Sequence, residues 1–449
     1  MKPKTIREVA LDVLLQIEKN QAYSNLLLNQ TVNKASLDPR DVGLLTEIVY
    51  GTVQRRDTLD YYLEPFIKKG VKNLNDWVRV LLQLSLYQMV YLDRVPDRAI
   101  VHEAVTIAKR RGHQGISGMI NGVLRNVRRQ ELRSFDEIKD ETTRLAIATS
   151  HPVWLVKRLV KQYGVEEAEQ ICLTNLQPPQ VTVRVNQTLA SVEEAIDLLQ
   201  EDGVEVKRGH LSEDALIIKK GNATHTQAFK SGIITIQDES SMLVARALDP
   251  VKGMDVLDCC AAPGGKSTHL AERMKDKGRV IALDLHEHKV KLIDQLSNRL
   301  QLNSVQGQVM DARQASKHFE KASFDAILVD APCSGLGVIR RKPDIKWTKN
   351  AKDIEAIQKI QKEILSAVVP LLKKGGRLVY STCTIDRTEN DKIVQWFLKE
   401  HHEFIMDPSV IERLPHHISE KAKIEEGSLT ILPHHFNTDG FFITAMLKQ

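Results

Sequence analysis

The feature that most constrains this chain is a hydrophobic pattern whose period changes twice along its length. From Ile6 the apolar residues Val9, Ala10, Val13, Leu14 and Ile17 fall on one stripe of a helix. Comparable stripes recur at Trp77, Val80, Leu81, Leu84 and Tyr91, and at Ile116, Met119, Ile120, Val123, Leu124 and Val127, with no alternating strand pattern between them. Residues 1–135 are therefore expected to form an all-helical bundle. After a charged stretch from Arg133 to Arg144, Val181-Thr182-Val183-Arg184-Val185 alternates as a strand. Val192 to Leu199 reads as a helix, and Val204-Glu205-Val206 and Ala215-Leu216-Ile217-Ile218 as short strands. This predicts a small α+β module over residues 145–228. In residues 229–449, strand-like runs at Met254 to Leu257, Val280 to Leu283, Val305 to Val309, Ala326 to Val329 and Arg377 to Tyr380 alternate with helical stretches such as Val290 to Leu300 and Ile354 to Leu372. That alternation predicts an α/β, doubly wound, Rossmann-like sheet. Ser428 to Leu432 and Phe441 to Leu447, joined through Asn437-Thr438-Asp439-Gly440, add a C-terminal β-hairpin.

Composition bounds the function only loosely. A chain of 449 residues with 42% hydrophobic content builds more than one core. Its 63 Lys and Arg against 58 Asp and Glu leave a formal charge of +5, which permits a nucleic-acid partner without requiring one. Cations concentrate late in the bundle, at Lys109-Arg110-Arg111, Arg125, Arg128, Arg129 and Arg133, a run that reads as a solvated face or as an RNA-facing one. The five cysteines, Cys172, Cys259, Cys260, Cys333 and Cys383, contain no C-x-x-C pair, so neither a disulfide framework nor a bound metal is expected. Met1-Lys2-Pro3-Lys4-Thr5 runs into charged amphipathic sequence, and no apolar run approaches a membrane span. A cytoplasmic protein without a membrane partner, and a monomer, is the expectation.

The first turn of the α/β region reads Asp258-Cys259-Cys260-Ala261-Ala262-Pro263-Gly264-Gly265-Lys266-Ser267. Its Gly-Lys-Ser ending invites a P-loop, but that motif needs glycine where Cys260 stands, and the loop is too short to wrap a triphosphate. A turn of small residues between a first strand and a helix instead suits close backbone approach to a ligand at the carboxyl ends of the strands. Asp284 ends the second strand at the spacing where an acid accepts hydrogen bonds from ribose hydroxyls, which suits a nucleoside-containing cofactor. With Asp258, Asp311 and Asp330, four successive strands offer a carboxylate at one sheet edge; any single one is as readily a helix cap or turn residue.

The fourth and fifth strands run into Asp330-Ala331-Pro332-Cys333-Ser334-Gly335 and Tyr380-Ser381-Thr382-Cys383-Thr384. A lone free cysteine is by default an inert core residue, whereas two thiols leaving adjacent strands at a ligand edge point to a reactive pair. A thiol suits one reaction in particular. Carbon 5 of cytosine is too weak a nucleophile to attack a methyl donor, but a thiolate adding to carbon 6 makes an enamine whose carbon 5 attacks readily. The base has to leave any stack for this, and an acid hydrogen-bonding its edge makes the ring more electrophilic. Asp330 is the candidate acid.

These residues resemble the Sun/Nol/Nop family of RNA cytosine-5 methyltransferases. The likeness rests on Pro263-Gly264-Gly265-Lys266, Asp330-Ala331-Pro332-Cys333-Ser334-Gly335, Arg340-Arg341-Lys342-Pro343-Asp344 and Ser381-Thr382-Cys383-Thr384, with Arg184-Val185-Asn186, Gln237-Asp238 and Asp439-Gly440-Phe441-Phe442. The helical N-terminus looks like a NusB-type RNA-binding domain, and that combination resembles the 16S rRNA methyltransferase B subgroup. The resemblance implies methyl transfer from S-adenosyl-L-methionine to a cytosine of 16S ribosomal RNA, free or in an assembling small subunit. By the same resemblance Cys383 is the nucleophile, Cys333 assists product release, and the cofactor is held by Cys260, Ala261, Ala262, Pro263, Gly264, Gly265 and Lys266 with Asp284, Asp311 and Asp330. Asp330 serves both cofactor and base in that scheme. Cys259 has no role in it and reads as a packed thiol.

Arg340-Arg341-Lys342 suits phosphate contacts beside a base-binding site, and Trp347 has two open readings, base stacking or half-buried packing. A DNA cytosine-5 methyltransferase shares the chemistry but attacks with the proline-cysteine thiol and has no counterpart of the threonine-cysteine one. A non-catalytic RNA-binding or antitermination factor needs neither thiol nor cofactor loop. The sequence favours the RNA methyltransferase over both.

Overall fold

The computed structural model describes residues 4–20, 24–35 and 38–449. The chain divides into two units, Met1–Gln177 with Ile339–Thr348, and Pro178–Val338 with Lys349–Gln449.

The first unit is helical: α1 (Ile6–Asn20), α2 (Ser24–Ala35), α3 (Pro39–Gln54), α4 (Arg56–Leu63), α5 (Asp76–Tyr91), α6 (Asp97–Arg111), α7 (Gln114–Arg129), α8 (Glu141–Ala148), α9 (Val153–Tyr163) and α10 (Val165–Thr174). Local chemistry sets several starts. Asp38 accepts from the Arg40 N–H with Pro39 in the first turn of α3, Asn75 caps α5, and Asp140 accepts from the Thr143 N–H at the start of α8. The stripes read from sequence are the core: Ala10, Val13, Leu14, Val80, Leu81, Leu84, Ile120, Val123 and Leu124 are all buried together. Residues 145–174, placed by sequence with the small α+β module, are grouped with this helical unit.

Four of the seven cations noted late in the bundle are paired. Arg110 pairs with Glu8, Arg111 with Glu8 and Asp12, Arg128 with Asp97 and Arg133 with Glu137, while Lys109, Arg125 and Arg129 are exposed. The excursion Ile339–Thr348 docks into the same unit. Asp344 accepts from the Ser24 hydroxyl, the Lys346 ammonium donates to the Gln54 carbonyl at 2.8 Å, and the Trp347 indole donates to the Val53 carbonyl at 2.8 Å. Arg56 lies 3.8 Å over the Trp347 ring. Packing therefore decides the open reading of Trp347, because both its N–H and one ring face are engaged by the bundle. Arg340 is buried and only Lys342 of its run is exposed, so that run is not the open phosphate-contacting cluster expected.

The second unit holds two sheets. The smaller comprises β1 (Thr182–Val185), β2 (Glu205–Arg208), β3 (Ala215–Lys220) and β4 (Ile234–Ile236), all antiparallel in the order β2-β3-β1-β4. Helix Val192–Glu201 covers it, opened by a capping box between Ser191 and Glu194. Strand β4 was not anticipated, because three apolar-polar-apolar residues are too short a pattern to register.

The larger sheet contains β5 (Asp255–Asp258), β6 (Arg279–Asp284), β7 (Val305–Val309), β8 (Phe324–Asp330), β9 (Leu372–Thr382), β10 (Phe404–Met406), β11 (Lys423–Glu425), β12 (Ser428–Ile431) and β13 (Phe441–Lys448). Its order is β11-β12-β13-β9-β8-β5-β6-β7, with β10 against β13. Strands β5 to β9 pair in parallel, and β13 returns antiparallel to β9. Near-continuous apolar runs such as Val280–Leu283 and Ala326–Val329 are buried on both faces, as a sheet with helices on each side requires. The strand order reverses between β6 and β8 on either side of β5. Ligands of such sheets sit outside the carboxyl ends at that switch point.

Candidate active site

The turn after β5 carries the small-residue motif to the switch point. Gly264 stands at the N-terminus of helix Gly265–Arg273 with φ of 105°, in the left-handed region that favours glycine. A Cβ there would also lie 3.2 Å from the Ile293 backbone. The Ala262–Pro263 bond is cis. Cys259 is buried in the core, while Cys260 is half-buried at the turn, its thiol pushed well up by burial and by the carboxylates of Asp258, Asp330 and Asp284.

Asp258 is fully buried, and its Oδ2 accepts from the Ser267 hydroxyl at 2.6 Å. Its Oδ1 is buried without a hydrogen-bond partner. Burial and the nearby Asp330 charge raise its carboxyl to about 7, against the Ser267 hydrogen bond. Asp284 ends β6, accepts from the His286 N–H at 3.1 Å and lies 3.7 Å from the Lys289 ammonium. Asp311 stands two residues beyond β7, and its carboxylate is forked onto the Arg313 guanidinium, which lowers its proton affinity. Asp258, Asp284 and Asp330 thus end their strands, whereas Asp311 caps the turn Ala312–Lys317.

Asp330 ends β8 with both oxygens occupied: Oδ2 pairs with the Lys266 ammonium at 2.8 Å and Oδ1 accepts from the Ser381 hydroxyl at 2.8 Å. Lys266 of the Gly-Lys-Ser ending therefore faces a carboxylate. Burial opposes the ammonium charge, but Asp330 outweighs it and holds the lysine firmly protonated, within electrostatic reach of the Cys383 sulfur.

The two thiols meet. Cys333 Sγ and Cys383 Sγ lie 3.4 Å apart, each half-buried on a loop leaving the carboxyl ends of β8 and β9. The hydrogen bond to Cys383, then burial, keeps the Cys333 thiol well above its ordinary range. Backbone bonds hold the loops together: Gly337 N–H donates to the Cys383 carbonyl at 3.0 Å and Gly440 N–H to the Gly337 carbonyl at 2.8 Å. A Cβ on Gly337 would fall 2.0 Å from the Gly440 carbonyl oxygen, so this glycine pair permits backbone to lie on backbone.

Sequence reasoning missed the groups beneath the thiols. Glu389 is fully buried and accepts from the Ser334 N–H at 2.8 Å, the Ser334 hydroxyl at 2.5 Å, the Gln361 amide at 3.2 Å and the Thr384 hydroxyl at 3.3 Å. Burial raises its carboxyl to about 7. Asn390 accepts from Thr382 and donates to the Thr384 carbonyl. Both residues sit just before helix Asp391–Glu400, where a polar run reads only as a helix start. Arg184 of β1 was noticed as a motif residue but not for its position. It is fully buried, forks onto Glu272 at 2.7 and 2.8 Å, and donates to Gln237, to Thr268 and to the Gly265 carbonyl at 2.7 Å.

This parallel sheet with an antiparallel last strand, and its ligand turn at the switch point, define a Rossmann-like methyltransferase domain. Comparison with known proteins gives the family. Residues 245–447 match the family model described as 16S rRNA methyltransferase RsmB/F, residues 4–129 the NusB family, and residues 151–225 the Methyltr_RsmF/B-like, ferredoxin-like domain. The chain is 54% identical over 449 residues, the whole of both chains, to the probable ribosomal RNA small subunit methyltransferase B of Bacillus subtilis (strain 168). It is 34% identical over 444 residues to the corresponding Synechocystis protein, covering 98% of this chain and 99% of that one. Among solved structures, PH0851 superposes with a TM-score of 0.81 at 29% identity, over 99% of this chain and 98% of its own. The chain belongs to the ribosomal RNA small subunit methyltransferase B family and is a methyltransferase. Among the described residues no helix is long and apolar enough to cross a membrane.

Proposed function

We propose that this protein methylates carbon 5 of a cytosine in 16S ribosomal RNA, free or in an assembling small subunit, with S-adenosylmethionine as donor and Cys383 as nucleophile. The observation that carries this reading is the 3.4 Å thiol pair beside the Lys266–Asp330 ion pair. The residues fit the donor: Asp258 offers a buried unpartnered acceptor, Asp284 a carboxylate at the end of β6, and the turn from Cys260 to Lys266 a backbone of small residues. Bound there, the donor supplies an electrophilic methyl carbon on a positively charged sulfur. The domain roles follow the sequence reading: residues 1–135 and 145–228 bind RNA, and residues 229–449 carry the chemistry. A cytoplasmic location suits an enzyme acting on ribosomal RNA.

Cys383, as thiolate, adds to carbon 6, forming the C–S bond and moving the ring's electron pair to carbon 5. Lys266 provides positive charge where the nucleophile's negative charge develops. Asp330, ion-paired with Lys266 and hydrogen-bonded by Ser381, keeps carboxylate lone pairs that accept from the exocyclic amine of the cytosine and so orient the base. Carbon 5 takes the methyl group and becomes tetrahedral. Its hydrogen then leaves as a proton, the C5–C6 double bond re-forms, and the C–S pair returns to Cys383. Cys333, its sulfur 3.4 Å from the Cys383 sulfur, takes that proton as thiolate after giving its own to solvent; forming the C–S bond removes the Cys383 contribution that raises this thiol, while burial and Glu389 still oppose the loss.

The test is a denaturing gel of Cys333→Ala and Cys383→Ala, each mixed with 16S ribosomal RNA and S-adenosylmethionine. A covalent protein-RNA band with Cys333→Ala alone supports the assignment. A band with Cys383→Ala alone reverses the roles.

A further inference from the structure

We propose that Glu389 is the positioning residue that holds the Cys333 loop in reach of the Cys383 adduct, so that it sets the rate of product release rather than that of methyl transfer. The proposal rests on the two-thiol reading above. Its geometric basis is a carboxylate that reaches both thiol loops from beneath. Through Oε2 it takes the Ser334 N–H, the residue after Cys333, and the Gln361 amide, which also donates to the Pro332 carbonyl at 3.0 Å. Through Oε1 it takes the hydroxyls of Ser334 and of Thr384, the residue after Cys383, and those hydroxyls lie 2.8 Å from each other. Its own backbone is fixed by the Tyr380 hydroxyl, which donates to the Glu389 carbonyl at 2.7 Å from within β9.

The thiol loops differ in what else holds them. Cys383 directly follows β9, whose Thr382 pairs with Phe442 of β13, and its loop is also held by bonds that do not pass through Glu389: the Cys383 carbonyl accepts from the Gly337 N–H at 3.0 Å and the Thr384 carbonyl from the Asn390 amide at 3.0 Å. Cys333 stands three residues beyond β8 in the irregular stretch from Ala331 to Val338; the Ala331 N–H donates to the Ser381 carbonyl at 2.9 Å, and both residues flanking Cys333 are tied through Glu389, Pro332 by way of Gln361 and Ser334 directly. Loss of the clamp therefore misplaces Cys333 first, and Cys333 acts only when carbon 5 gives up its proton. Addition of Cys383 and methyl transfer proceed; elimination slows.

Two variants separate reach from charge. Glu389→Asp keeps the carboxylate and loses one methylene of reach. Glu389→Gln keeps the reach: its oxygen faces Ser334 N–H and Gln361, and its amide N–H groups donate to the two hydroxyls, which rotate to accept. In single-turnover reactions with 16S ribosomal RNA, Glu389→Asp is expected to form methylated adduct at close to the parent rate and to release it about 10–100-fold more slowly, as a misplacement of order 1 Å predicts. Glu389→Gln restores release. Release by Glu389→Asp at the parent rate overturns the proposal, as does equal adduct retention by both variants, which would assign the effect to charge. Should Glu389→Asp fail to fold, judged by thermal melting, Ser334→Ala carries the test with partial adduct retention expected; none overturns it. Cys333→Ala on the same gel tells the two failures apart, because absence of its adduct sinks the two-thiol reading itself.

Discussion

Arg184→Ala tests how the small sheet and the cofactor turn are joined. Arg184 is wholly inside the protein and its guanidinium serves Glu272, Gln237, Thr268 and the Gly265 carbonyl, so truncation strands a buried carboxylate and several acceptors together. Breaking a buried pair by removing one partner costs roughly 3–5 kcal/mol, about 6–10 °C in Tm at roughly 2 °C per kcal/mol for a unit of this size. The cost also depends on pH. Burial already raises the Glu272 carboxyl against the pull of Arg184, and without Arg184 it rises further. A carboxyl whose folded-state pKa exceeds its unfolded value binds its proton preferentially in the folded state, so stability falls as pH rises between the two. The penalty of Arg184→Ala is therefore larger at pH 8 than at pH 5.5. The assay is urea unfolding followed by circular dichroism at both pH values, with the double variant Arg184→Met/Glu272→Leu as control. Replacing both partners with apolar groups is expected to recover most of the loss. A single-variant cost below about 1 kcal/mol, or one that does not shrink on acidification, refutes the reasoning. Because Gly265 opens the helix after the turn proposed to hold the methyl donor, the folded single variant should also bind S-adenosylmethionine more weakly, measured by calorimetry.

Three further outcomes are expected. Asp258, raised to about 7 by burial, makes the folded protein lose stability as pH climbs from its unfolded value through that range, and Asp258→Asn should flatten this slope in denaturant unfolding at pH 5 and 8. Lys346 is buried and lowered to about 7 by that burial, against the help of Cys172 and Asp57, so the unfolded chain binds more protons above that pH and stability rises with pH up to the ordinary lysine range. Lys346→Met should remove that rise without loss of stability at neutral pH; a loss beyond about 2 kcal/mol would contradict it. Cys172 and Cys259, closed off from solvent by burial, should resist a thiol reagent in the native protein while the half-buried Cys383 reacts, read by mass spectrometry after brief labelling.

The sequence by itself determined the elements and which carboxylates and thiols stand at the strand ends. A helical stripe buries its apolar face whatever its neighbours, so Val80, Leu81 and Leu84 were legible as core, and alternating strands and helices leave few topologies besides the doubly wound sheet. Asp258, Asp284 and Asp330 were legible because each closes an apolar run, and Cys333 and Cys383 because each follows within a few residues of such a run, which puts them at one edge without any knowledge of contacts. The relation between distant side chains was not legible. Lys266 finding Asp330, Trp347 lying under Arg56, and Arg184 forking onto Glu272 all depend on which surfaces close against each other. Glu389 shows the limit most clearly: in the sequence it is one polar residue before a helix, and only the closure of β8 against β9 makes it a buried carboxylate shared by two thiol loops. Periodicity reports what a residue's own segment does with water, whereas pairing between segments is decided by tertiary packing.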